Sequence, residues 1–584
     1  MTERKRLTVL AIATVAAGIA LTAGPAAMAS ASGTPPTGHW GNAQKVPGMA
    51  ALNPDGNGGI QSISCAAPGE CAAGGFTVGD SVTRDHLFHD VLAVERGGTW
   101  RQARRVYGAD PAVKSSLINS VSCAHGSCAA GGWFTGSAVT NEHAFVVSEA
   151  NGTIGAPLEV PGTPLTSGGS ASVLAVSCAD AGACAAGGHS VSKDGDEEPF
   201  VVDETSGGWG TAQPLQDIGK LNKSGRGIVT AISCGAPGDC IAAGTYGDEN
   251  RVIHAFEAEE ASGNWGPART LPGMDKLTAG ESEPMSVSCS GPANCAIAGF
   301  YDSSDFKQRQ AFVIDEHGGF WGSAQQVPGT ADRNTNHFAT VNSVSCTSAG
   351  ECAAVGYYST PDGRHQFVTD ERGGTWQPAI RDLTRKGSPG GGFGVQANAV
   401  SCGSPGNCVV TGEFADAHNG SHLFTLNQVG GTWGKVLELP GSAKLNVKKF
   451  GRLLTVSCAS AGNCAVGGFY EDAKGNTQGL VADESSVTAT HLALSVSKVR
   501  YGHEQAEKLS VKVQPRTGGT PSGKVTVLAS GTALCLIKLA KGTGSCTLPA
   551  TKLKPGSYRL TGVYGGDRHY NGSAYPAKTL TVIK

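Results

Sequence analysis

Apolar runs long enough to hold a helix across a bilayer are missing from this chain. The stretch from Leu7 to Leu21 falls short of the roughly 20 residues that a transmembrane helix needs. It follows Arg4, Lys5 and Arg6 and leads to Ala27-Met28-Ala29, the layout of an export signal cut before Ser30. No cysteine follows the run to carry a lipid. The end, Thr579 to Lys584, has neither a hydrophobic tail nor a sorting motif. The expectation is a signal peptide over residues 1–29, a linker over 30–36, and a soluble secreted chain with no membrane insertion. Long helix-forming runs are scarce too, and 85 glycines point to turn-rich all-β structure. Cysteine pairs at zinc-ribbon or redox spacing are absent, which argues against metal or thiol chemistry. Asp194 to Glu198 is acidic but lacks the spacing of an EF-hand. No Ser-His-Asp set or single carboxylate pair stands apart, and nothing calls for a cofactor, a metal or nucleic acid.

What is abundant is repetition. Ser-Cys pairs recur at Cys65, Cys123, Cys178, Cys234, Cys289, Cys346, Cys402 and Cys458, at spacings of 55 to 58 residues. Each is followed by a second cysteine: Cys71, Cys128, Cys184, Cys240, Cys295, Cys352, Cys408 and Cys464. In an oxidising compartment these read as eight local disulfides. On the chain-entropy account each short loop adds about 2 kcal/mol. Every unit holds four strand-like stretches. In the sixth they are Ala339 to Cys346, Cys352 to Tyr358, Gln366 to Glu371, and a fourth opening at Thr375-Trp376. Four short strands per unit with turns between them is the pattern of propeller blades.

The repeat is out of phase with the chain. An acidic or amide residue precedes a large apolar one by five positions at Glu95/Trp100, Glu149/Ile154, Glu204/Trp209, Glu260/Trp265, Glu316/Trp321, Glu371/Trp376 and Gln428/Trp433. Glu484 has no such partner downstream, and Trp40 has none upstream. The expectation is an eight-bladed β-propeller over residues 37–486, closed by the N-terminal strand so that no sheet edge is left open. Thr369-Asp370-Glu371-Arg372-Gly373-Gly374-Thr375-Trp376 resembles the Asp-box hairpin of sialidase-type propellers, a structural motif that implies fold and not sialidase chemistry. The repeat as a whole resembles those of large secreted actinobacterial proteins.

From residue 487 the pattern changes. Gly519 to Val525 and Val563 to Tyr570 resemble the bacterial Ig-like repeats of surface proteins, which implies a C-terminal β-sandwich over 487–584. Cys535 and Cys546 fall on what should be neighbouring strands and are paired. This domain holds fourteen Lys and Arg against three Asp and Glu. Of the total net charge of −3, that leaves −16 on residues 30–486 once the +2 of the first 29 is removed. A basic module on an acidic body suits attraction to the anionic polymers of a cell wall.

Two further positions recur in the repeat. His89, His143, His254, His365 and His422 alternate with Glu198, Gln310 and Gln478. A hydrogen-bonding role within each blade, toward the serine before the cysteine, is preferred to metal ligation. Six residues after the second cysteine stand Phe134, Tyr246, Tyr301, Tyr358, Phe414 and Tyr470. Asp248, Asp302 and Asp472 lie close by. Aromatic faces beside carboxylates suit sugar rings, so Tyr246, Asp248, Tyr301, Asp302, Tyr358, Tyr470 and Asp472 are the candidate binding residues, with inter-blade packing as the alternative. Symmetry is most disturbed in the third unit, where Ile154 ends the preceding hairpin, His189 replaces an aromatic and the acidic run Asp194 to Glu198 occurs. The reading carried forward is a monomeric, non-catalytic extracellular protein whose propeller recognises a glycan or protein, with the Ig-like domain as spacer or envelope anchor. A glycan hydrolase or lyase and a purely structural surface protein are the rivals.

Overall fold

The computed structural model describes residues 38–584 except 54–55, 80–86, 109, 111, 137–140, 166–167, 382–393, 417, 419, 516–519 and 568–569. The expected signal and linker lie outside the described residues. What is described is nearly all β. No helix among the described residues is long and apolar enough to cross a membrane.

Eight antiparallel sheets of one pattern follow the eight Ser-Cys pairs, and repeats are numbered here by those pairs. Repeat three runs Ser170–Asp180, Ala183–Val191, Glu197–Thr205 and Gly208–Trp209, with Gln213–Pro214 returning beside its third strand. Repeat four runs Ile228–Ala236, Asp239–Gly247, Ile253–Ala261 and Asn264–Trp265. The sheet of repeat eight takes its outer strand from the other end of the chain: His39–Trp40 pairs with Thr477–Ser485, with Trp40 opposite Glu484.

Each first strand carries a bulge, as between Val173 and Ala175. The second strand must therefore approach closely, which explains its small residues. A Cβ on Gly188 would lie 1.9 Å from the carbonyl oxygen of Ser172, and one on Gly412 would lie 1.9 Å from that of Gln396. Any side chain there would force the strands apart. The cores lie between sheets. One joins Ala175, Ala185 and Val201 of repeat three to Val229, Ile232 and Phe256 of repeat four. Another joins Ile60, Ala73 and Val91 of repeat one to Ala465 and Val481 of repeat eight. Phe200, Phe256, Phe312, Phe367 and Phe424 are completely buried, each burial contributing roughly 2–3 kcal/mol.

The serine before each cysteine has a different use from the one expected. Its hydroxyl accepts the backbone N–H of the cysteine one repeat on, as Ser177 does from Cys234 at 2.9 Å and Ser401 from Cys458 at 2.9 Å. The same bond joins Cys65 to Ser457 at 3.0 Å, across 392 residues. His143, His254 and His422 instead meet the acids Glu159, Asp248, Asp416 and Glu438.

All eighteen cysteines are paired with their neighbours along the chain. Eight bridges run from Cys65–Cys71 to Cys458–Cys464 and link residues directly opposite on the first two strands. Nine disulfides fit an oxidising environment. The ninth, Cys535–Cys546, differs from the expectation in one respect. Its strands, Thr532–Lys538 and Thr543–Thr547, follow one another in sequence but belong to the two opposed sheets of the C-terminal sandwich. That sandwich has its own core of Leu509, Val525, Val527, Leu560, Tyr564 and Leu580.

Candidate functional site

The tyrosines singled out in the sequence are internal. Tyr246 and Tyr301 are 7 % exposed, Tyr358 4 % and Tyr470 0 %. None offers a ring face for a sugar to stack on, and packing is the use the structure gives them. Their partners are the recurrent histidines, which stand directly opposite on the third strand. Tyr246 lies on His254 with ring centres 5.4 Å apart, Tyr358 on His365 at 5.4 Å, and Phe414 on His422 at 5.1 Å. In repeats five and eight glutamine takes the position, Gln310 opposite Tyr301 and Gln478 opposite Tyr470.

The acids beside them order the turn between the second and third strands. Asp248 accepts the backbone N–H groups of Asn250 and Val252 and meets His254 Nε2 at 3.2 Å. Asp472 accepts those of Lys474 and Asn476. Asp302, only 8 % exposed, holds Arg309 through two hydrogen bonds of 2.7 and 3.0 Å. This end of the sheets also carries the inter-repeat connections, since Asn222, Asn334 and Asn446 from those connections donate to the same turns. A cavity of about 150 Å³ lies here beside His422, Glu438 and Lys449.

The larger opening is at the opposite end of the sheets, the end with the disulfides. The glutamate or glutamine at the end of each third strand is buried there, from 1 % exposed at Glu95, Glu149, Glu316 and Glu371 to 4 % at Glu204, Gln428 and Glu484. In repeats three, five, six and eight the residue just before it binds the next repeat. Asp203 accepts the Trp265 indole at 3.0 Å, Asp315 that of Trp376 at 2.7 Å, and Asp370 that of Trp433 at 3.1 Å. Trp100 of repeat one reaches Asp483 of repeat eight in the same way at 3.1 Å. The junctions of repeats three with four and five with six thus concentrate carboxyl groups, Asp203 with Glu260 and Asp315 with Glu371, in a dry place where the charged form is disfavoured. Burial pushes Glu316 up to about 7, helped by Glu259. It pushes Glu371 to about 8, helped by Asp315 and Glu351.

In repeats one, five and six a basic residue just after the glutamate reaches across the junction. Arg96 reaches from repeat one to Glu149 of repeat two and to Glu70 at 3.4 Å. Arg372 reaches from repeat six to the Gly431 carbonyl of repeat seven at 2.6 Å and back to Asp370 at 2.9 Å. His317 of repeat five meets Glu371 of repeat six at 3.3 Å. In repeat three the position holds Thr205 and the residue before the second cysteine is Ala183, where repeats one and six have Glu70 and Glu351. Between repeats three and four the result is an open crevice of about 450 Å³, lined by Asp203, Glu204, Thr205, Glu260, Ser262 and Gly263 among others. The corresponding space at the junction of repeats six and seven, which Arg372 enters, is about 20 Å³.

Within the crevice Asp203 is held by Trp265, and Glu204 accepts a hydrogen bond of 2.6 Å from Ser148. Glu260 is 3 % exposed and has no hydrogen-bond partner. Burial, with Asp203 and Asp239 adding repulsion, pushes its carboxyl up to about 7. Asp315, His317 and Glu371 bring ligand atoms within 4.8 Å of one another and are chemically able to hold a divalent ion. Arginine in the place of His317 at two other junctions makes this group a variant of the same charge-compensating contact. The sequence reading chose the third repeat as the one that departs from symmetry. It did so on Ile154, His189 and Asp194 to Glu198, none of which lines the crevice.

Residues 492–583 match the family of the bacterial Ig-like domain (group 3). No curated protein matches the chain. Among solved structures it is similar to Sqt1 of Chaetomium thermophilum, at 14 % identity over 74 % of this chain and 97 % of that one, TM-score 0.41. It is also similar to the β-propeller domain of the trilobed protease of Pyrococcus furiosus, at 8 % identity over 66 % and 98 %, TM-score 0.35.

Proposed function

We propose that this chain is a secreted, non-catalytic binding protein. Its eight sheets form a closed eight-bladed propeller that recognises an extracellular glycan or protein, and its Ig-like domain holds it at an anionic envelope. The observation that carries the recognition reading is the crevice between repeats three and four. Its acids face a ligand-sized space, whereas the corresponding space between repeats six and seven is filled from within by Arg372. Against catalysis, the same acid positions recur at the junction of repeats five and six, as Asp315 with Glu371, so the pair belongs to the way repeats join. Both oxygens of Asp203 are also engaged by Trp265. The test is retention of the full-length protein on arrays of cell-wall polysaccharides, chitin, cellulose, starch and secreted proteins, beside a Thr205→Arg variant that fills the crevice. Retention of the wild type and not the variant is expected. Equal retention of both, or turnover of any glycan offered, would sink it.

The envelope reading rests on how charge is distributed in the C-terminal domain. Every described Lys and Arg of residues 487–584 is exposed. Two of its three acids are turned inward: Glu504 and Glu507 are 0 % exposed and accept backbone N–H groups of Thr551, Ser495 and Val496. The surface that a partner meets is thus more one-sidedly basic than the composition. Such attraction is screened within about 8 Å at physiological salt. The full-length protein should bind purified cell walls at low ionic strength and come off as salt rises, and a chain ending at residue 486 should not bind. Walls that capture both forms equally would reduce the domain to a spacer.

A further inference from the structure

We infer that the crevice between repeats three and four receives the guanidinium of an arginine side chain presented by a partner protein. The inference rests on the binding role proposed above and names the chemistry of its ligand. The molecule itself supplies the argument, because two of its own junctions hold an arginine in the equivalent space.

At the junction of repeats one and two, Arg96 lies against the buried Glu149. At that of repeats six and seven, Arg372 donates to the Gly431 carbonyl at 2.6 Å and to Asp370 at 2.9 Å. Between repeats three and four all three kinds of acceptor are present. Glu260 stands where Glu149 stands, Gly263 where Gly431 does, and Asp203 where Asp370 does. Only the arginine is missing, replaced by Thr205.

Two features make the space a site and not merely a gap. Glu260 lines it, is 3 % exposed and accepts no hydrogen bond within the protein, so its carboxylate is open to a donor that enters the crevice. The volume of about 450 Å³ admits a side chain with part of the peptide that carries it. A planar cation with five donors matches a carboxylate, a carbonyl and a second carboxylate better than an ammonium does. The net charge of −16 on residues 30–486 also favours approach of a cationic segment.

The test uses the full-length protein and a fluorescent peptide, acetyl-Gly-Ser-Arg-Ser-Gly-amide. Counterparts carry citrulline, which keeps the shape without the charge, or lysine. Binding to the arginine peptide should exceed that to citrulline by about tenfold or more, the worth of a charged hydrogen bond, with lysine between them. Thr205→Arg should abolish binding by placing the molecule's own arginine in the space, and Glu260→Gln should weaken it about tenfold. Both variants should fold, since arginine at Arg96 and Arg372 and glutamine at Gln428 already occupy these positions in other repeats. Circular dichroism of each checks this. Equal affinity for arginine and citrulline peptides, no binding of either, or binding unaffected by Thr205→Arg would overturn the inference. If the arrays find a glycan whose retention is lost in Thr205→Arg while arginine peptides fail, the inference falls and the binding role stands.

Discussion

Glu316 shows what the repeated acid does at the scale of one residue. It is 1 % exposed, and neither of its carboxylate oxygens has a hydrogen-bond partner. Its folded pKa of about 7 lies above the ordinary 4.5, so the folded chain keeps a proton that the unfolded chain gives up. Its contribution to stability is complete below about pH 4.5 and is lost progressively as pH rises toward 7. Glu371 and Glu484, each pushed up to about 8 by burial, extend that loss to about pH 8. Urea denaturation should therefore show the protein more stable at pH 5 than at pH 8. Glu316→Gln should stabilise it at pH 8 by about 1–3 kcal/mol, the cost of an unsatisfied buried group, and hardly at all at pH 4.5. An unchanged midpoint at pH 8 would mean that the carboxyl finds a partner in solution. Gln428 already holds an amide at this repeat position, where it donates to Asp370 at 2.9 Å.

Among elements, a strand of only two residues joins the two ends of the repeat array. His39–Trp40 supplies two residues to the sheet of repeat eight, and Gln44–Lys45 pairs with Val481 and Leu480 of the same third strand. Trp40 also donates from its indole to Asn427 of repeat seven at 3.4 Å. Removing residues 38–45 would bare the edge of Thr477–Ser485, and unpaired edges recruit other chains. Light scattering after size exclusion should find the shortened protein oligomeric or aggregated and the intact one monodisperse. A monodisperse shortened protein would show that this pairing is not needed to protect the edge. The pairing of Trp40 with Glu484 was legible because a period of about 56 residues left one half-motif over at each end. The bulge in every first strand was not, since it is a matter of register between strands and no residue type marks it.

At the scale of the whole molecule the chain divides by charge and by core. The sandwich core draws only on residues from Leu492 to Val582, and its contact with the repeats runs through Ser486 and Asn571, whose backbones bond at 2.8 Å, and His39 stacked on Tyr570 at 5.2 Å. Residues 487–584 should then fold by themselves, and calorimetry of the full chain should resolve two transitions. One cooperative transition, or an unfolded isolated domain, would show that this contact is part of the sandwich's stability.

The period, the paired cysteines and the four-strand punctuation were enough to specify the sheets and their disulfides, because these depend on local spacing and alternation. The aromatic and histidine columns were equally plain in the sequence, yet their meaning was not. Whether a ring packs or faces a ligand depends on which side of the pleat the register assigns it, and the register turns both columns toward each other. The crevice is a tertiary fact in a stronger sense. Thr205 and Ala183 are unremarkable residues 22 positions apart. They matter because antiparallel pairing sets their strands side by side and the next repeat brings Glu260 against them, so that two short side chains leave open a space that arginine fills elsewhere in the same molecule.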